Sequence, residues 1–234
     1  MGASLKRDVI TSAIGIVVFT LLCGIVYPLF ITGVSQVALP GNANGQQVFV
    51  HGKLVGSKII GQNFALAVYK NGKPVIVNGE PVTAPDPRYF QTRPSGTTPA
   101  DNDASTSFAN YGPNSKITEQ AIAGNIATYL ALNCPTAVSG SKPCSDPYDA
   151  AVTSAAEVPV DAADTSASGV DPEISVANAD IQAYRIASVR NLPLATVDRL
   201  ISDYTLGRGL GFSGEPGVDV LELNLALDRL STGH

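Results

Sequence analysis

An uncharged apolar stretch near the N-terminus constrains this chain more than any other feature. No charged side chain occurs between Val9 and Val50. The most apolar part, residues 9–31, contains 14 Val, Ile, Leu or Phe residues among 23. As an α-helix it would be roughly 34 Å long at about 1.5 Å per residue, and the hydrocarbon core of a bilayer is about 30 Å thick. The stretch therefore predicts a transmembrane helix over residues 9–31.

A cleavable signal peptide is the main alternative for this stretch. Signal cores contain about 7–15 apolar residues and end at a site with small side chains. The apolar stretch here is longer, and residues 35–40 (SQVALP) contain no such site. Lipoprotein cleavage before Cys23 is disfavoured because the preceding Leu22 is bulky. A retained membrane anchor is therefore the prediction.

Basic residues predict which end of the helix faces the cytoplasm. Lys6 and Arg7 precede the helix, and the next basic residue is Lys53. Because positively charged flanks stay in the cytoplasm, residues 1–8 are predicted to be cytoplasmic in a single-pass protein of the inner (plasma) membrane. The other predicted segments are a linker at 32–45 and an extracytoplasmic domain at 46–234.

Composition argues against several functions. The 15 Lys and Arg are outnumbered by 20 Asp and Glu, so the net charge of −5 disfavours nucleic acid as a partner. Two His and three Cys are too few for a typical zinc centre. His51 is the only internal histidine, and no nucleophile motif lies near it. No phosphate-binding GxxxxGK[ST] motif occurs, and the glycine-rich Gly207–Gly214 segment (GRGLGFSG) is a weak dinucleotide motif because it follows a predicted helix. We therefore predict no catalytic residue, no metal and no cofactor bound by this chain alone.

The residues after the apolar stretch have the mixed periodicities of an α+β domain. Asn71-Gly72 between Val and Tyr residues is a strong hairpin signal, and residues 84–113 are typical of a long ordered loop. The predicted strands lie at 46–51, 53–60, 68–77 and 158–160. The predicted helices are one capped by Asn114 or Ser115 that ends near Leu132, and two at 171–191 and 193–204, and residues 218–230 are a helix or strand. The predicted fold class is thus one N-terminal transmembrane helix followed by a single mixed α+β domain.

Two cysteines bracket a short loop. Cys134 and Cys144 enclose CPTAVSGSKPC, which is rich in Pro, Ser and Gly. A disulfide between them is plausible in an oxidising compartment, and two free loop thiols are the alternative. Cys23 lies within the predicted span and is interpreted as a small apolar residue.

Collinear motifs behind the anchor resemble one family. They are YPL at 27–29, GSKIIGQNF at 56–64, YFQTRPS at 89–95, SASGVDP at 166–172, QAYRIA with RNL at 182–192, and GEP with VLELNLALD at 214–228. In this order the chain resembles the C subunit of the bacterial Kdp potassium-transporting P-type ATPase. Asp219, Glu173 and Ala163-Asp164 depart from the family pattern, and residues 66–86 and 133–150 resemble insertions.

The resemblance implies an accessory, non-catalytic subunit of a high-affinity ATP-driven potassium uptake pump. In that family an A subunit conducts potassium and a B subunit hydrolyses ATP. The C subunit is a catalytic chaperone that raises the ATP affinity of the B subunit. The motif at Gln182 has been linked to nucleotide, so the resemblance implies that Gln182 and Arg185 are nucleotide-associated and that ATP is shared with the B subunit.

The predicted topology conflicts with direct nucleotide contact, because ATP is cytoplasmic. We therefore favour a role in assembly and stability, with the outer domain over the potassium entrance and the bilayer and the A and B subunits as partners. The residues expected to organise the structure or contact partners are Gln62, Asn63, Arg93, Ser168, Asp171, Arg190, Glu215 and Asn224. The alternative is a membrane-tethered extracytoplasmic binding module unconnected to a pump.

Overall fold

The computed structural model describes residues 2–77, 79–97, 100–102, 104, 112, 114–134 and 154–231. The chain divides into two compact units, Met1–Val55 and Gly56–His234.

The first unit consists mainly of one long helix. Helix α1 (Gly2–Leu21), a π-helical turn (Leu22–Val26) and helix α2 (Tyr27–Ala38) follow one another without a break. The 35-residue segment Ser4–Ala38 is long and apolar enough to cross a membrane, as the sequence predicts. None of its most apolar window is buried within the protein. A short helix α3 (Pro40–Ala43) follows.

The π-helical turn allows the long helix to continue past Pro28. A proline has no N–H and crowds the carbonyl four residues earlier, which normally kinks or breaks a helix. Here the Tyr27 N–H donates to the Leu22 carbonyl, five residues back, so the turn before Pro28 is wider than in an α-helix. Such wide turns are a recognised way to accommodate local disruption of the ladder.

Short antiparallel hairpins follow this helix. Strands β1 (Gln47–Val50) and β2 (Lys53–Ser57) pair, and β3 (Ala65–Ala67) pairs with β8 (Thr83–Pro85). Between β3 and β8 lie two further pairs, β4 (Tyr69–Lys70) with β5 (Lys73–Pro74) and β6 (Ile76–Val77) with β7 (Glu80–Pro81). The predicted Asn71-Gly72 turn is confirmed, with φ of +53° and +75°.

The core of the second unit lies between helices and a three-stranded antiparallel sheet. The sheet order is β10 (Thr205–Leu206), β11 (Gly217–Asp219), β9 (Glu173–Ser175), with Val218 opposite both Thr205 and Ile174. Helices α6 (Val176–Arg190), α7 (Leu194–Asp203) and α8 (Val220–Ser231) contribute most of the buried apolar side chains. The buried residues of this core, from the helices, the sheet and one loop, are Phe90, Ile174, Ala179, Ala183, Ile186, Ala187, Val197, Ile201, Val218, Val220, Leu223 and Leu227.

A second, smaller cluster joins helix α4 (Lys116–Asn133) to α6. Leu130, Cys134 and Ile181 are buried together there. The start of α4 is as predicted, since the Ser115 Oγ accepts a hydrogen bond from the Ile117 N–H as an N-cap. Ahead of α6 lie a 3₁₀ turn (Ala155–Glu157) and the short helix α5 (Val160–Ala163).

Three element predictions need correction. The strand predicted at 158–160 is wrong, because the chain turns into α5 at Val160. The helix predicted from residue 171 begins at Val176, since Glu173–Ser175 pairs with β11 and the Ser175 side chain caps α6. The segment 218–230, predicted as a helix or a strand, contains both: the end of strand β11 is followed by helix α8.

Candidate functional site

A loop of residues 86–95 is held against α6 and α8 by side chains that bind its backbone. This 86–95 loop contains the YFQTRPS motif. Phe90 is fully buried in the core and fixes the centre of the loop. The carbonyls of five successive residues, 87–91, each accept a hydrogen bond from a side chain of α6 or α8. A loop bound in this way has a defined shape although it has no regular secondary structure.

Arg185 of α6 binds this loop through its guanidinium group. Its Nη1 donates to the carbonyls of Pro87 and Tyr89. Its Nε donates to Asn133 Oδ1 at 2.9 Å, and its Nη2 donates to Gln182 Oε1 at 2.7 Å. The side chain is fully buried. Burying a charge is costly unless its donors are satisfied, and here they bind the loop, Asn133 of α4 and Gln182 of the same helix.

Two amide side chains bind the loop backbone in the same manner. Gln182 Oε1 accepts from the Gln91 N–H at 2.8 Å, and Gln182 Nε2 donates to the Gln91 carbonyl at 3.1 Å. Asn224 of α8 makes the equivalent pair with Phe90, at 2.9 Å in both directions. Each amide therefore satisfies the backbone N–H and C=O of one loop residue, as a neighbouring strand would in a sheet. Both side chains are 1% exposed.

Arg190, the last residue of α6, connects the 86–95 loop to α8. Its Nε donates to the Arg88 carbonyl at 2.7 Å, and its Nη2 lies 2.9 Å from Asp228 Oδ1. The guanidinium carbon lies 4.7 Å from the centre of the Tyr89 ring, and the Tyr89 hydroxyl donates to Asp228 Oδ2. This cluster connects the end of α6, α8 and the loop.

A polar chain continues from Gln182 to α4 and α5. Asn178 Oδ1 accepts from Gln182 Nε2 at 3.0 Å and from the Tyr129 hydroxyl at 2.9 Å. Asn178 Nδ2 donates to Asp161 Oδ2, and Asp161 also accepts from the backbone and hydroxyl of Ser175. The network thus joins four helices to the loop inside the unit.

A cleft of about 290 Å³, lined by both polar and apolar groups, lies beside this network. Most of its polar lining groups are amides and hydroxyls, with Arg93 and Asp101 as its charged side chains. The described lining residues are Asn63, Ala65, Thr83, Pro85, Gln91, Thr92, Arg93, Pro94, Ser95, Ala100, Asp101, Asn125, Thr128, Tyr129, Leu132, Asn133, Ala162, Asn178 and Gln182. Such a lining suits hydrogen bonding to a polar ligand or polypeptide segment.

Burial changes the titration of two groups in the cleft. Desolvation raises the pKa of Asp101 to about 6, although a hydrogen bond from Thr92 Oγ1 at 2.9 Å opposes it and the charge of Asp171 adds to it. Burial also raises the pKa of the Tyr129 hydroxyl, which therefore stays protonated and donates to Asn178. Among the described residues, no group of three or more His, Cys, Asp or Glu could hold a metal ion.

Two more predicted residues, Arg93 and Asp171, meet at the edge of the cleft. Arg93 Nη1 lies 3.0 Å from Asp171 Oδ2, and both side chains are about one quarter to one third exposed, at 26% and 30%. Asp171 Oδ1 also accepts from the Glu173 N–H. The Gly61 N–H donates to the Val170 carbonyl, and a Cβ at Gly61 would lie 2.6 Å from the Asp171 carbonyl oxygen. The glycine of the GQNF motif therefore permits this close approach.

The other predicted site residues are dispersed. Asn63 lines the cleft, while Gln62 Oε1 is buried without a hydrogen-bond partner among the described residues. Ser168 is exposed and accepts from the Val170 N–H. Glu215 is exposed and lies 2.6 Å from Arg208. The structure therefore does not bring these four side chains into one site.

The predicted cysteine pair falls partly outside the described residues. Cys134 is fully buried at the end of α4. Cys144 lies outside the described residues, so its pairing with Cys134 stays a prediction.

Sequence reasoning missed several members of the network. Asn133 and Asn178 are both 1% exposed, and Asp161 accepts three hydrogen bonds. One signal was present: Asn178, Gln182 and Arg185 follow an i, i+4, i+7 spacing and therefore share one helical face. A polar stripe of this kind is ordinarily solvated, so the spacing alone does not reveal burial.

Comparisons with known proteins agree with the motif order. A family model described as KdpC, K+-transporting ATPase, c chain, matches residues 9–229. A Potassium-transporting ATPase KdpC subunit of Mycobacterium bovis (strain BCG / Pasteur 1173P2) is 38% identical over 226 residues, covering 97% of this chain and 100% of that protein. A protein of the same name from Methylococcus capsulatus is 38% identical over 216 residues, covering 92% and 94%. Another, from Methylibium petroleiphilum, is 39% identical over 210 residues, covering 89% and 90%. The chain belongs to the KdpC family, the c chain of the K+-transporting ATPase.

Proposed function

We propose that this chain is an accessory, non-catalytic subunit of a potassium-transporting ATPase, held in the plasma membrane by its N-terminal helix. The family match over residues 9–229 and the helix at Ser4–Ala38 support a membrane subunit. Lys6 and Arg7 ahead of the helix support a cytoplasmic N-terminus and an extracytoplasmic second unit. The partners are the potassium-conducting and ATP-hydrolysing subunits.

One observation favours a role in assembly over direct contact with nucleotide. Gln182 and Arg185, which the family resemblance associates with ATP, are at most 1% exposed and bind the 86–95 loop. A side chain in this environment would have to break several buried hydrogen bonds to reach a ligand. In the proposed function both residues act by fixing the shape of the second unit.

The effect on ATP affinity then arises through the assembled complex. Binding of an accessory subunit raises ATP affinity elsewhere if it binds the ATP-competent conformation more tightly than the other conformations. The buried network gives the second unit a fixed shape that suits such selective binding. No nucleotide contact by this chain is needed.

Removal of the chain from the purified complex tests the assembly role. We expect the remaining subunits to assemble poorly, to transport potassium less well and to require more ATP for half-maximal activity. Adding back the full chain should restore all three properties. A complex that lacks the chain yet keeps its assembly, potassium affinity and ATP requirement would refute the proposal.

A second candidate is direct nucleotide contact at the cleft, favoured by the presence of Gln182 in its lining. Gln182→Leu and Asn224→Leu separate the two candidates, because both amides bind one loop residue but Asn224 does not line the cleft. The assembly role predicts a loss of stability and a raised ATP requirement in both variants, larger for Gln182→Leu because Gln182 also bonds Arg185 and Asn178. A change in ATP requirement confined to Gln182→Leu would favour direct contact.

A further inference from the structure

The Gly207–Gly214 loop, a weak match to a dinucleotide motif, exposes two large apolar side chains. Leu210 is 92% exposed and Phe212 is 76% exposed. The loop connects β10 to β11. Val218 of β11 and Ile174 of the neighbouring strand β9 are at most 2% exposed. Strand β11 of this hairpin is thus buried, whereas the apolar tip of the hairpin lies in solvent.

The tip has a fixed backbone shape. Gly209 N–H donates to the Ser213 carbonyl at 2.7 Å, and Ser213 N–H donates to the Gly209 carbonyl at 2.8 Å. Below the tip, Arg208 Nη2 lies 2.6 Å from Glu215 Oε2 across the hairpin. A loop that is already ordered loses little conformational entropy on binding, so exposed apolar side chains on it are available for tight contact.

The backbone conformation at Leu210 is unfavourable for leucine, and burial within the chain does not offset its cost. Its φ is +53° and that of the following Gly211 is +81°, the left-handed conformation for which Asn-Gly is the preferred pair. A bulky side chain in this region is destabilising, and such strain concentrates at functional positions. Since the side chain is 92% exposed, packing within the chain does not compensate for the strain. A contact outside the chain would.

The charges of the loop favour a protein partner over a lipid surface. Residues 205–217 carry one basic and one acidic side chain, Arg208 and Glu215, and these pair with each other. The loop has no Trp, Tyr or Lys, and the whole chain has a net charge of −5. Anionic lipid surfaces attract clusters of Lys and Arg, which are missing here. Apolar anchors surrounded by polar pairs are typical of protein interfaces.

We propose that Leu210 and Phe212 are the anchor by which this subunit docks into an apolar pocket on an extramembrane surface of another subunit of the transport complex. The inference rests on the proposed function, because it requires a complex to dock to. The Arg208–Glu215 pair would lie at the polar rim of the contact. Two side chains do not make a whole interface, so the loop serves as the energetically dominant part of a larger one.

Binding of the full-length chain to the complex that lacks it tests the anchor. We expect Leu210→Asn and Phe212→Ser each to weaken binding at least tenfold. Leu210→Asn should keep or raise the chain's own unfolding midpoint, because Asn tolerates a positive φ, so weaker binding cannot be attributed to misfolding. Val160→Ser is the matched control, since Val160 is 77% exposed elsewhere on the unit and should bind as the parent does.

The outcomes separate this inference from the proposed function. If the parent chain does not bind the complex, the proposed function fails. If the parent binds and both loop variants bind equally well, the anchor is refuted.

A single-tryptophan probe tests whether the tip instead contacts the lipid bilayer or a second copy of this chain. Because the chain has no Trp, Phe212→Trp reports on the tip alone. In nanodiscs containing phosphatidylglycerol and no other subunit, its emission should stay that of a solvent-exposed indole. A blue shift caused by lipid alone, or one that grows with the concentration of the chain, would overturn the inference in favour of a membrane contact or a second copy.

Discussion

The two units of the molecule differ in which side chains they expose: the first exposes apolar side chains, and the second buries polar ones. In the long N-terminal helix, apolar side chains such as Val17 and Phe19 are 57% and 65% exposed. In the second unit, polar side chains such as Gln182 and Arg185 are at most 1% exposed. The first arrangement requires an apolar environment around the helix, and the second requires hydrogen-bond partners for buried polar groups such as these. The environment therefore specifies the helix, while internal hydrogen bonds specify the second unit.

The largest expected effect comes from removing the centre of the buried network. Arg185→Met would leave the carbonyls of Pro87 and Tyr89 and the Asn133 side chain without their donor. We expect a loss of about 3–5 kcal/mol in the free energy of unfolding of the second unit, measured by denaturant unfolding of the full chain in detergent. Arg199→Met is the control, because the Arg199 side chain is 84% exposed and its loss should change stability by no more than about 0.5 kcal/mol. Equal stability of the two variants would contradict the account of the network.

A charge on the N-terminal helix should have a smaller effect of a different kind. Val17 lies near the middle of the apolar stretch, where an arginine costs about 2.5–3.5 kcal/mol in membrane insertion. Val17→Arg should therefore lower the fraction of chain that resists alkaline extraction from membranes. Ser202→Arg, on an exposed position of α7, should leave that fraction unchanged. Unaltered membrane retention of the Val17 variant would show that the helix is not surrounded by lipid.

The smallest predicted effect concerns pH and the cleft. The pKa of Asp101 is about 6 in the folded unit, mainly because of burial, against about 3.9 for an unperturbed Asp. A carboxyl whose pKa is raised on folding stabilises the fold most below pH ~4, and this stability is lost as pH rises through about 6. Asp101→Asn should therefore be more stable than the parent at pH 7.5, by on the order of 1 kcal/mol after allowance for solvent screening.

The same variant should match the parent at pH 4, where the parent carboxyl is protonated. Asn suits the position because φ is +55° there and its carbonyl can still accept from Thr92. Asp219, whose pKa burial also raises to about 6, affects parent and variant alike and cancels in the difference. Asp203→Asn, at a side chain that is 58% exposed, is the control. A stability difference that does not depend on pH would contradict this titration.

Local signals in the sequence predicted local structure well. The apolar run predicted the long helix, Asn71-Gly72 predicted its turn, and Ser115 is one of the two residues predicted to cap α4. Each of these features depends on residues near in sequence. The strand Glu173–Ser175 was missed because its partner β11 lies about forty residues later. A three-residue strand has no periodicity of its own that could distinguish it from the start of a helix.

The candidate site shows the same limit more strongly. The motif order indicated that Arg185, Gln182 and Asn224 matter, but not that they bind the backbone of residues 87–91. These contacts span about 90 to 134 positions in sequence, and polar side chains at helical spacing are usually solvated. Only the fold reveals that these polar groups form the interior of the unit.

The side of the membrane on which the second unit lies tests the central claim most directly. Ser202→Cys places a thiol on an exposed position of α7, and Ser4→Cys places one before the apolar stretch. With an impermeant maleimide, compared with the unsubstituted chain, the account predicts that intact cells or right-side-out vesicles label Ser202→Cys and that inverted vesicles label Ser4→Cys. The reverse pattern would place the second unit in the cytoplasm, with access to ATP, and would contradict an accessory unit that acts from outside the membrane.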